Sequence, residues 1–132
     1  MKAAVDTNVL VRAVVQDDRK QAAAAAKLLR EAETVAVALP CLCELVWVLR
    51  RVYGFGREEV AEAVRALLAA ESVVTNRPAA EAGLAAMEAG GDFADGVIEW
   101  EGRWLGGETF VSFDRKAVQR VAAQGRESRL LK

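Results

Sequence analysis

Short apolar runs alternate with longer helical stretches along the whole of this 132-residue chain. Residues 2–5, 34–39, 72–75 and 109–113 each read as a strand, and helical sequence separates every consecutive pair. Parallel strands need a crossover of a dozen or more residues, which a helix supplies, so the alternation implies an α/β fold with a mainly parallel sheet between helices. Helices are expected over 18–33, from Pro40 to about Gly54, over 57–70, from Pro78 to Gly90, over 92–105 and after Asp114. In the second of these, Leu42, Leu45, Val46, Leu49, Val52 and Tyr53 form one stripe at helical spacing. Phe93, Val97, Trp100 and Trp104 form another, and Ser128 to Leu131 reads as a short strand or a tail. No repeat or linker interrupts the pattern, so one domain over 1–132 is expected.

Composition narrows the chemistry. With 53% hydrophobic and 28% charged residues the chain has the makings of a packed domain. No apolar stretch approaches the roughly 20 residues of a membrane span, and the first residues are charged too soon for a signal peptide. No membrane association and a cytoplasmic location are the expectation. There is no histidine, which excludes imidazole acid–base catalysis, Ser-His triads and histidine metal ligands. Cys41 and Cys43 suit neither a disulfide nor a zinc site at their spacing and are expected to be buried like small apolar residues. A net charge of −1 lacks a general basic footprint, but Arg12, Arg50, Arg51, Arg57, Arg103, Arg115 and Lys116 lie close in sequence to acidic positions and could form a local cationic rim, with Arg12, Arg51 and Arg115 the candidates for RNA contact.

Four of those acids stand where a solvated charge is not expected. Asp6 and Asp114 close strand-like runs, where parallel sheets collect ligands, although each also suits a helix N-cap. Glu44 is the only charged residue between Leu39 and Val48, so its surroundings are expected to be buried nearly all round. The plainer alternatives are a structural ion pair with Arg51 or a narrow solvent-facing edge of the helix. Asp95 shares about 60° of helical arc with Asp92 and Glu99, a trio that taken alone reads as a solvated acidic face. Together the acids suit Mg2+ or Mn2+, hard cations that take carboxylate oxygens and waters, and the chemistry best served is in-line attack on a phosphodiester. Phosphoryl transfer through Asp6 is a rival, weakened because Asn8 stands where a second acid is wanted. A non-catalytic binding protein is the other.

Asp6-Thr7-Asn8-Val9-Leu10, Glu44 in its apolar helix, Asp92-Phe93-Ala94-Asp95 and Val111-Ser112-Phe113-Asp114-Arg115 resemble, in order and spacing, the PIN-domain nucleases. Within them the chain is most similar to the VapC toxins of bacterial toxin–antitoxin pairs. The resemblance implies a PIN-like α/β/α fold and Mg2+- or Mn2+-dependent endoribonuclease activity on cellular RNA. It also implies a homodimer inhibited by a cognate VapB-like antitoxin, with DNA met only indirectly through that antitoxin. It assigns metal binding and catalysis to Asp6, Glu44, Asp95 and Asp114, an accessory role to Asp92, and support to Thr7, Asn8 and Ser112. Gly96 and Glu99 depart from it, standing where the family usually has small apolar residues, and Gly96 is expected to loosen its helix by up to ~1 kcal/mol.

Overall fold

A computed structural model describes residues 1–132, which divide into two compact units, Met1–Arg77 and Pro78–Lys132. Every strand pairing is parallel, as alternation with helices requires, and the architecture is α/β.

The first unit runs β1 (Lys2–Ala4), α1 (Thr7–Val15), α2 (Arg19–Glu31), β2 (Thr34–Ala36), α3 (Leu39–Arg51), α4 (Arg57–Ala69) and β3 (Val73–Val74). Its strands lie in the order β1-β2-β3, with Ala3 opposite Val35 and Val35 opposite Val73. The second strand is shorter than its apolar run. Ladder pairing stops at Ala36, although the Val37 N–H still reaches the Val74 carbonyl at 2.9 Å and the Thr75 hydroxyl donates to the Val37 carbonyl at 2.7 Å. Pro40 sits in the first turn of α3, where its missing N–H removes no helical bond. Leu10, Leu42, Leu45, Leu49, Val60 and Val64 are wholly buried, each contributing about 1.5–3 kcal/mol of apolar transfer as an upper bound.

The stripe on α3 is shorter than expected because the helix ends at Arg51, so Val52 lies beyond it and is 64% exposed. Cys41 and Cys43 form no disulfide and are half-buried rather than buried, and the Cys41 thiol donates to the Val5 carbonyl at 3.6 Å.

The second unit holds α5 (from Arg77, ending at Glu88), α6 (Phe93–Trp104), β4 (Phe110–Ser112), α7 (Arg115–Ala123) and β5 (Ser128–Leu130). Helix α7 is the crossover between β4 and β5, which pair with Val111 opposite Arg129, so residues 128–130 form a strand and not a tail. Phe93 and Val97 are buried, Trp100 is half-buried, and Trp104 is 72% exposed because the final turn of α6 stands in solvent on all sides.

Helices α5 and α6 meet through glycine. A Cβ on Gly83 would lie 2.7 Å from Cε2 of Phe93, and one on Gly96 would lie 2.2 Å from the backbone oxygen of Ala82. Gly96 is therefore not a loosening of the helix. Its missing side chain is the space into which α5 fits.

Candidate active site

In the first unit, Asp6 follows β1 and caps α1, its Oδ1 accepting the Thr7 N–H at 2.7 Å. The capping reading is thus correct for Asp6, but it occupies one oxygen only, and Oδ2 carries no hydrogen bond from the protein. Glu44 extends from the middle of α3 into the same cavity of about 370 Å³, where Asp6, Thr7, Asn8, Arg12 and Tyr53 also form part of the lining.

Glu44 is exposed rather than buried nearly all round, and of the plainer alternatives the solvent-facing edge is the one found, since no ion pair joins it to Arg51. Apolar residues flank it in sequence, yet the arc of α3 that carries Glu44 and Trp47 faces solvent, and Trp47 is 60% exposed. Thr7 is buried, at 7% exposure, and its Oγ1 has no hydrogen-bond partner. A buried hydroxyl left unpaired costs about 1–3 kcal/mol, so its place beside two carboxylates fits a site completed by a ligand or water.

At the rim, Arg12 donates from Nη1 to Asp17 Oδ1 and from Nε to Gln21 Oε1, both at 2.7 Å. The Tyr53 hydroxyl donates to Asp17 Oδ2 at 3.1 Å. Gln16 makes the turn that brings Asp17 round to Arg12, in the left-handed region at φ 59°. Loss of water works to raise the Asp17 pKa, but hydrogen bonds from Arg12 and Tyr53 overcome it, and the carboxyl titrates below its ordinary value. The Asp17 hydrogen bond in turn raises Arg12. Arg51, the last residue of α3, is exposed.

In the second unit, Asp114 follows β4 and caps α7. Its Oδ1 accepts the N–H groups of Lys116 at 3.0 Å and Ala117 at 3.4 Å, leaving Oδ2 without a protein donor. Ser112 supports it from behind, its Oγ accepting the Asp114 N–H at 2.9 Å. Arg115, the first residue of α7, is exposed. Asp95 sits in the first turn of α6 with Arg120 Nη2 3.5 Å from its Oδ2. Asp92 occupies the cap position of α6 without a side-chain cap bond, so its charge is unspent. Burial pushes the Asp95 carboxyl above its ordinary value, the charges of Asp92 and Asp114 push the same way, and Arg120 opposes them.

The acidic face expected on α6 is not all solvated. Glu99 is buried at 6% exposure and paired with Arg103 and Arg126. Arg120 and Arg126 are residues that sequence reasoning missed, and Arg103, expected only as part of a cationic rim, is instead the partner of Glu99. Only Glu99–Arg103, four apart on one helix, had a local signal.

Neither unit by itself gathers three acidic side chains into a metal cage. Asp6 and Glu44 belong to the first, Asp92, Asp95 and Asp114 to the second. An all-carboxylate donor set with free oxygens is nonetheless the chemistry that hard divalent cations take. The profile of the PIN domain matches residues 3–123, nearly the whole chain. This chain belongs to the PIN-domain family. PIN domains are typically metal-dependent nucleases, and the parallel strands and helices described above are a PIN-like α/β fold. A search of curated proteins finds no match. No helix is long and apolar enough to cross a membrane.

One consequence for this PIN domain is testable without any substrate. Because the Asp95 pKa is raised in the folded state, ionising it opposes folding, and that cost is present in full only above the raised value. Asp95→Asn is expected to raise the melting temperature of the metal-free chain at neutral pH. The gain should shrink as pH falls through the raised value and vanish below the ordinary one, where Asp95 is protonated in both states. Melting curves in EDTA at several pH values decide it, and a variant less stable than wild type at neutral pH would contradict the account.

Proposed function

We propose that this chain is a Mg2+- or Mn2+-dependent endoribonuclease, the VapC-like toxin of a VapBC-type pair, hydrolysing phosphodiester bonds of cellular RNA such as tRNA or rRNA. The observation that carries the reading is the cavity in which Asp6 and Glu44 stand beside the unpaired Thr7 hydroxyl, in a chain of the PIN family. Asp6, Glu44, Asp95 and Asp114 are the carboxylates proposed to serve as metal ligands. When bound, the ion lowers the pKa of a water and neutralises charge on the phosphodiester.

The chain's own residues do the rest. The Thr7 hydroxyl, having no partner in the protein, is free to hold and orient a water. Arg12 offers its remaining guanidinium N–H groups to a phosphate at the mouth of the cavity, and Arg51 and Arg115 add cationic surface for the strand. Ser112 holds the Asp114 backbone in place, and Asp92 adds negative potential at Asp95. A cognate VapB-like antitoxin, a homodimer and a cytoplasmic setting belong to the same proposal.

Purified chain, free of antitoxin, is expected to cut RNA in Mn2+, to stop in EDTA, and to resume when Mn2+ is returned in excess. Gel analysis of a total RNA preparation reads this out. Cleavage that continues unchanged in EDTA would overturn the proposal.

A further inference from the structure

Glu99 is the only charged side chain buried in this protein, and nothing in the proposed chemistry uses it. Arg103 donates from Nε to both of its carboxylate oxygens, at 3.0 and 3.1 Å. Arg126 grips the same carboxylate with two parallel bonds, Nε to Oε1 at 2.5 Å and Nη2 to Oε2 at 3.1 Å, and Nη2 also donates to Gln124 Oε1. One carboxylate thus fixes two guanidinium planes side by side. Both Nη groups of Arg103 and Nη1 of Arg126 remain without a protein acceptor.

These side chains line a cavity of about 380 Å³ within the second unit, a size within the roughly 300–1,000 Å³ of small-ligand sites. Its other walls are mainly apolar: Ala82, Ala85 and Ala86 from α5, Phe110 from β4 and Val121 from α7. Among the lining side chains Arg103, Arg120 and Arg126 outnumber Asp95 and Glu99 by one, while the charges of Asp92 and Asp114 also reach Asp95. An anion alone would waste the apolar wall, and an apolar ligand alone would leave the arginine edges unpaired. A flat ring joined to a phosphate satisfies both, because bases stack on aromatic and guanidinium planes while arginine forks grip phosphate oxygens.

We propose that this cavity is a nucleotide subsite. It takes one unstacked nucleotide of an RNA strand, with the base against Ala82, Ala85 and Phe110 and the phosphate on the outer edges of Arg103 and Arg126. Glu99 is a positioning residue that holds the two arginines together. The proposal rests on the ribonuclease reading for its ligand, and Asp95 in the same lining places the subsite next to a proposed metal ligand.

Titrating nucleoside 5′-monophosphates into the full chain in EDTA, followed by calorimetry, tests it apart from cleavage. At least one nucleotide is expected to bind about tenfold or more tightly than inorganic phosphate, because its base stacks where phosphate alone has nothing to offer. Ala85→Trp, at an exposed position of α5, fills the cavity mouth and should weaken binding at least tenfold with the circular dichroism spectrum unchanged. Glu99→Gln should weaken it as well, and Glu99→Asp should restore part of the loss.

Absence of nucleotide binding overturns the subsite, as does phosphate binding as tightly as the nucleotides. Undiminished binding in a folded Ala85→Trp chain does the same, and any of these leaves the ribonuclease reading standing if the wild type cuts RNA. Nucleotide binding weakened by Ala85→Trp in a chain that never cuts RNA supports the subsite and removes the ribonuclease reading alone.

Discussion

Asp6→Asn is expected to lower metal-dependent RNA cleavage by roughly a thousandfold or more while the chain stays folded. The fold should survive because asparagine is as good an N-cap as aspartate and its Oδ1 accepts the same Thr7 N–H. What disappears is the negative charge and the basicity of Oδ2, the oxygen with no bond from the protein. A thousandfold loss corresponds to about 4 kcal/mol at 1.36 kcal/mol per decade, a reasonable share for one of four proposed carboxylate ligands to a divalent ion. Initial rates in Mn2+ and a thermal melt of the same preparation make the check. A variant that melts like wild type and cuts at more than a tenth of its rate would remove Asp6 from the reacting centre.

Gly96→Ala is expected to be among the most damaging single changes to stability, at about 3 kcal/mol or more. Two effects compete. Alanine improves helix propensity by up to about 1 kcal/mol over glycine. Against that, the added methyl would lie 2.2 Å from the Ala82 backbone oxygen and 2.8 Å from Cβ of Ala86. Overpacking a core costs typically about 1–3 kcal/mol when side chains can move, but here the nearest obstacle is main chain, so α5 and α6 must separate. At roughly 2–8 °C per kcal/mol for domains of this size range, the melting temperature should fall by several degrees to more than ten. A Gly96→Ala chain as stable as wild type would mean that the two helices can shift apart at little cost. Gly102, with open space around its missing Cβ, is the matched control.

These two residues mark where sequence was legible and where it was not. Asp6 and Asp114 could be placed because capping and strand ends are decided within a few residues, and the structure has both as caps after a strand. Glu44 stands on a solvent-facing arc of its helix and is not buried nearly all round. Chain neighbours on a helix point to every side, so an apolar flank does not decide which arc is covered. Gly96 was judged by propensity alone, whereas its function depends on Ala82 in another helix. The same distance in sequence hid Arg126 from Glu99, 27 residues away, and Arg120 from Asp95. Local rules carried the elements and the two acidic caps. Partners brought together by folding were invisible.

The hydrogen-bonded chain from Tyr53 through Asp17 to Arg12 bears on timing as well as geometry. A free arginine side chain carries about 2 kcal/mol of rotamer entropy, which a ligand must overcome if it orders the group on arrival. Here that freedom is given up when the chain folds. A polyanion reaching the mouth of the Asp6 and Glu44 cavity therefore meets a guanidinium already at rest, and little of its binding energy goes into stilling it.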